Sequence, residues 1–137
     1  MSDFKTTTQK TMVLMDDDKK SIHKIPHGIW INNHEDCIDF IKNFHTDYIL
    51  MLDYILSCQI TGLDILTFME LEKKLPYGII FNSSMPIYNV KLEKKAKELG
   101  YKDVFENINC RDLGFMKRAD DYEPKEKPVF ITRTVNL

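Results

Sequence analysis

Five consecutive apolar residues, Tyr48 to Leu52 (YILML), run unbroken up to Asp53, and the surrounding nine residues YILMLDYIL carry no other charge. A strand with one wet face alternates polar and apolar side chains. A run that is apolar at every position is a strand covered on both faces, as in the middle of a parallel α/β sheet. An ionised carboxylate inside such a layer costs several kcal/mol unless something compensates it, so Asp53 should stand where burial stops.

The rest of the chain supplies partners for that strand. Thr11 to Met15 (TMVLM) is an apolar run stopped by Asp16-Asp17-Asp18, and Gly28 to Ile31 (GIWI) lies between Pro26 and Asn32-Asn33. Gly78 to Phe81 (GIIF) is another buried run, and Asp103 to Ile108 reads as a fifth strand. Helices are expected between them. From Asn33 as N-cap, HEDCIDFIKNF puts Cys37, Ile38, Ile41 and Phe44 on one face, with Glu35 and Asp36 in the first turn. Gly62 to Leu75 points Leu63, Leu66 and Met69 inward before Pro76. Val90 to Leu99 does the same with Leu92, Ala96 and Leu99, and Gly100 is placed to end it.

Strands alternating with helices predict a mostly parallel sheet with helices on both faces, a doubly wound three-layer α/β sandwich. Only ten residues, Asp18 to His27, join the first two strands, and they hold Pro26 and no apolar stripe, so the first crossover helix should be reduced or missing. The expected organisation is a flexible segment over 1–10, one domain over 11–119, and an extension over 120–137. Within that extension Pro128 to Leu137 alternates enough to add an edge strand.

Charge narrows the function. The 19 basic residues are scattered among 21 acidic ones, which argues against a large nucleic-acid surface but not against a small RNA substrate. No apolar run approaches membrane-spanning length, and Met1 to Lys10 is polar with no apolar signal core. The three cysteines, Cys37, Cys58 and Cys110, have no metal-type spacing and read as reduced core thiols. Together these features point to the cytoplasm.

In an open parallel sheet, ligands bind at the carboxyl ends of the strands. There the first strand delivers Asp16 and Asp17, the third Asp53, and the fourth Asn82, Ser83 and Ser84. If the first and third strands are neighbours, three carboxylates share a pocket, and like charges that close need a cation or a proton to coexist. An all-oxygen carboxylate site suits Mg²⁺ with a phosphate as a further ligand. The competing reading is that these acids only cap turns and accept backbone N–H bonds.

The segments VLMDDD, DYILMLDYIL…TGLDIL, GIIFNSSMP and KKAKELGY resemble a receiver domain over roughly residues 11 to 108. That resemblance implies a flavodoxin/receiver-like sheet in the order 2-1-3-4-5, with Tyr48 to Leu52 central, and Mg²⁺ held by Asp16, Asp17 and Asp53. The lysine that receivers place after the fifth strand falls on about Asn107 here, against an ordinary phospho-accepting role. The short first crossover, GIW, TGLDI and NSSMP are similar to a narrower family, the cyclic-phosphate processing receiver domain, with motifs L-D-D-E-R, L-D-H-D-L and H-S-A-N-P. Matched residue by residue, Asp16 and Asp17 take the first pair, Asp53 the next acid, and Ser83 and Pro86 the last motif.

This second resemblance implies a metal-dependent phosphoesterase acting on a phosphate-bearing nucleotide or RNA end, with Asp53, Asp16 and Ser83 as catalytic residues. The motif histidines are replaced by Tyr54 and Asn82, which removes the usual proton carriers of phosphodiester chemistry. His23 and His27, in the loop leaving Asp16, are the nearest substitutes, although a solvated loop is the blander reading. Ser83 and Ser84 have no base nearby in sequence and read better as hydrogen-bonders to phosphate or water than as nucleophiles. The alternative is a degenerate, non-catalytic module that binds a protein partner.

Overall fold

The computed structural model describes residues 7–17, 28–56 and 60–123. The reduced first crossover expected over Asp18 to His27 and the added strand expected over Pro128 to Leu137 lie outside the described residues. The element order is β1 Thr11–Met15, β2 Ile29–Ile31, α1 His34–Asn43, β3 Tyr48–Leu52, α2 Gly62–Glu72, β4 Gly78–Phe81, α3 Pro86–Glu98, β5 Lys102–Ile108 and β6 Arg111–Lys117.

Local chemistry sets the helix starts. Asn33 is the N-cap of α1, its side chain accepting the Asp36 N–H at 2.9 Å. In α2, Thr61 and Asp64 bond reciprocally to each other's backbone N–H as a capping box. Helix α3 begins at Pro86, four residues before the expected Val90; proline suits a first helical position because it lacks the N–H that would go unpaired there. The apolar stripe fails over this first turn because Ile87 and Val90 are exposed. Gly100, at φ +96°, ends the helix as expected.

One sheet of six strands results, in the order β2-β1-β3-β4-β6-β5. The first four are parallel, and β3 lies between β1 and β4, with Val13 and Ile79 both opposite Leu50. The expected order 2-1-3-4 therefore holds, but β5 does not pair with β4. Strand β6 takes that place, antiparallel to both, through Gly78 opposite Lys117 and Val104 opposite Phe115. The sheet is mixed rather than parallel throughout.

The layering also differs from expectation. Cys37 and Ile41 of α1, Ile65, Leu66 and Met69 of α2, and Leu92 and Ala96 of α3 share one core with Val13, Met15, Leu50, Leu52 and Ile79. Side chains alternate along strands, so these strand residues mark a single face. All three described helices pack there, because each follows a step in the same direction across the sheet and such crossovers are right-handed. Among the described residues, the opposite face carries a second, smaller core that contains no helix residue: Ile49, Ile108 and Phe115, with Met12, Ile80 and Leu113 against it.

The β5–β6 hairpin builds that second core by curling. Its tip bonds to the segment leading into β1: the Asn109 N–H donates to Thr8 O at 2.8 Å, and Lys10 N–H donates to the Asn109 side chain at 2.8 Å. In a flat sheet β5 and β1 would stand four strand spacings apart, about 19 Å. The hairpin must fold across the face to make these bonds. Gly78 admits it, since a Cβ there would lie 2.4 Å from the Phe115 ring. Cys110 sits at the exposed turn with φ +68°, so it is not the core thiol expected of it, while Cys37 is buried and its thiol pushed up to about 12, first by burial.

Candidate metal centre

Parallel pairing places the ends of β1, β3 and β4 side by side, and backbone bonds tie the residues just beyond them. Asp53 N–H donates to Met15 O at 3.0 Å, Asn82 N–H to Leu52 O at 2.9 Å, and Asp16 N–H to Ile31 O at 3.2 Å. The Trp30 indole N–H donates to the Asp16 carbonyl at 2.8 Å. These bonds fix where each acid leaves the sheet before its side chain makes any contact.

Asp16, Asp17 and Asp53 then converge, each offering a carboxylate oxygen within 4.8 Å of the others. Asp16 is nearly buried at 3% exposure, Asp53 is half-buried and Asp17 exposed. The Asn82 amide donates to Asp16 Oδ2 at 2.8 Å, and Tyr54 N–H donates to Asp53 Oδ1 at 2.7 Å. Burial, and then the charge of Asp16, push the Asp53 carboxyl up from 3.8 to about 6; a hydrogen bond with Asp16 and the charge of Asp17 add to this, and the Tyr54 N–H opposes it. The pocket concentrates negative charge that a proton or a cation relieves. Its donors are all carboxylate oxygens, which suit a hard cation such as Mg²⁺.

The residues Thr61-Gly62-Leu63-Asp64 acquire a physical meaning here. The capping box starts α2 directly beneath Asp53, and the Gly62 N–H donates to the Tyr54 carbonyl at 2.6 Å. A Cβ on Gly62 would stand 2.5 Å from the Asp53 carbonyl oxygen, so only glycine lets the helix approach this closely.

Ser83 stands at the turn that follows β4. Its hydroxyl accepts the Met85 N–H at 3.1 Å, and Asn89 brackets its main chain, accepting the Ser83 N–H at 3.1 Å and donating to its carbonyl at 2.9 Å. Ser83 therefore shapes the turn into α3, one residue beyond the Asn82 that reaches Asp16. Trp30 and the bracing Asn89 carry no signal in the sequence that marks them for these roles. Asn82, a strand-end residue in the sequence, reaches Asp16 only because β4 and β1 flank β3. The cluster contains no histidine among the described residues, and His23 and His27 lie outside them.

A sheet whose first and third strands carry acids into one pocket at their carboxyl ends defines a receiver-like α/β domain. Residues 11–98 match the family model of the cyclic-phosphate processing receiver domain. The match covers more than half of the chain, and the chain belongs to that family. Among solved structures it is similar to the signal receiver domain of a protein described as a Luxo repressor, from Vibrio parahaemolyticus, with 20% identity and a TM-score of 0.48 over 64% of this chain and 73% of that one. A search of curated proteins finds no match. Among the described residues, no helix is long and apolar enough to cross a membrane.

Proposed function

We propose that the pocket holds a divalent cation, Mg²⁺ by the chemistry of its donors, and through it engages the cyclic phosphate end of a nucleotide or RNA. The observation that carries this reading is the convergence of Asp16, Asp17 and Asp53 within 4.8 Å. These three carboxylates would be the ligands. The bound cation would neutralise charge on the phosphate and polarise its oxygens. Asn82 keeps the Asp16 carboxylate oriented through its amide, and Trp30 anchors the Asp16 backbone. Asp53 takes its place from the Tyr54 N–H and the close seat of Gly62. The Ser83 hydroxyl is proposed as a hydrogen bonder to the phosphate. A cytoplasmic site of action belongs to this proposal.

A second reading rests on one contact. Asn82, where the family motif has histidine, is committed to Asp16, and an amide cannot exchange a proton near neutral pH. A pocket that binds metal and phosphate without turnover would then serve as a regulated module for a protein partner. Incubation of the protein with a 2′,3′-cyclic phosphate nucleotide and Mg²⁺ or Mn²⁺ separates the two. Metal-dependent ring opening or hydrolysis, lost in Asp53→Asn, is the outcome expected of a phosphoesterase. Metal binding with no product supports the second reading, and no metal binding at millimolar concentration removes the phosphoesterase and leaves a module that binds its partner without metal.

A further inference from the structure

Beside the acids lies an aromatic pair that the metal site does not use. Tyr54 directly follows Asp53, and its backbone is held at both ends, its N–H on Asp53 Oδ1 at 2.7 Å and its carbonyl on the Gly62 N–H at 2.6 Å. Its ring stacks on that of Tyr88, in the first turn of α3, with centroids 4.2 Å apart and planes within 7°. Both residues are half-buried. Lys91, one turn further along α3, holds its ammonium 5.9 Å from each ring centroid. Ile55, Met85 and Ile87, from the same two segments, are 46%, 51% and 58% exposed.

Fastening the β3–α2 loop to α3 would need only apolar contact, and aliphatic side chains would supply it. Two parallel rings with a cation at their side do something more: they offer a flat face and a positive charge next to a pocket that repels anions. A base stacks on an aromatic face whatever its identity, and an ammonium draws the phosphate toward it. A bare phosphate has no use for the rings. A phosphate ester that carries an aromatic base uses the rings, the ammonium and the metal site together.

We infer that Tyr54, Tyr88 and Lys91 form the base-binding subsite of the same pocket, so that the ligand is a nucleotide or nucleotide end, its base extending the tyrosine stack and its phosphate lying between Lys91 and the acids. The phosphate end of this arrangement rests on the function proposed above; the stack does not. Lys91 also supplies positive charge from α3, whereas Asn107, where a receiver lysine is expected, lies inside β5 with its carbonyl accepting the Thr8 N–H near the hairpin tip.

Calorimetric titration with adenosine 2′,3′-cyclic phosphate and, separately, inorganic phosphate, each with Mn²⁺ present, tests the subsite. The wild type should bind the nucleotide at least about tenfold more tightly than phosphate, the advantage of one stacked base. Tyr88→Leu, which keeps apolar contact, should erase that advantage and leave Mn²⁺ affinity unchanged. Lys91→Gln, a surface change that spares the fold, should weaken nucleotide binding and flatten its salt dependence. Equal affinity for the two ligands in the wild type, or undiminished nucleotide binding in both variants, would overturn the inference. Nucleotide binding that depends on Tyr88 with no Mn²⁺ bound would retain the subsite and sink the metal reading. Mn²⁺ binding without nucleotide preference would do the reverse.

Discussion

The two ends of the sheet handle acids in opposite ways. At the carboxyl ends of β1 and β3, Asp16, Asp17 and Asp53 are gathered on one another. At the other end, acids are set against bases: Asp47 meets Arg118 at 3.0 Å and Lys10 at 3.8 Å, while Glu106 meets Lys117 at 3.1 Å and accepts the Tyr77 hydroxyl at 2.7 Å. Both ends belong to the same small sheet, so burial alone does not explain the difference. Charges that complement one another hold the curled hairpin and the strand starts together. Charges that repel one another are a cost that a proton or a bound cation relieves, the arrangement expected of a site.

The contrast predicts that removing a charge should have opposite signs at the two ends, while steric changes at either end should cost stability. The largest effect is expected beneath the acids. Gly62→Ala drives a methyl group into the Asp53 carbonyl, so it should cost about 1–3 kcal/mol in chemical denaturation and weaken metal binding as well. At the opposite end Arg118→Met removes the guanidinium that donates to Leu75 O and pairs with Asp47. A loss of about 1–2 kcal/mol, shrinking as salt is raised, is expected there, and denaturation at two ionic strengths checks it. A stabilising Arg118→Met would erase the distinction between the ends.

Asp53→Asn should go the other way. A carboxyl whose folded value is raised binds its proton more tightly in the folded state, so the protein gains from it at low pH and loses that gain as pH rises from about 4 to about 6. In metal-free buffer the melting temperature of Asp53→Asn should match the wild type near pH 4 and exceed it by a few degrees above pH 6. Parallel thermal scans across that window decide the sign; a variant that melts lower above pH 6 would make Asp53 a structural acid. The smallest effect belongs to the hairpin tip. Cys110 is exposed in a left-handed conformation that favours glycine, so Cys110→Gly should gain less than about 1 kcal/mol without altering metal binding.

How far the sequence revealed this contrast depends on the kind of signal involved. The acid end was legible because each acid directly follows an apolar run, and a parallel sheet aligns such ends without further information. The start of α1 and the end of α3 were legible through Asn33 and Gly100, which act within one turn of chain. The hairpin did not. Its turn is Asn109-Cys110, both residues at positive φ, where glycine would have signalled a tight turn. In β6, Gly114 breaks the apolar alternation opposite Phe105. Its insertion beside β4 and its curl over Ile49 depend on contacts between residues far apart in the chain. The Asn82 bond to Asp16 was hidden for the same reason, since asparagine after a strand reads first as a turn residue.

The central claim, that the acidic end is a divalent-cation site, is tested most directly by the melting temperature of the wild type and Asp53→Asn at neutral pH, each with and without millimolar Mg²⁺. The account predicts that Mg²⁺ raises the wild type, that Asp53→Asn starts higher without metal, and that it responds to Mg²⁺ little or not at all. A wild type indifferent to Mg²⁺, paired with an Asp53→Asn that melts lower, would contradict it.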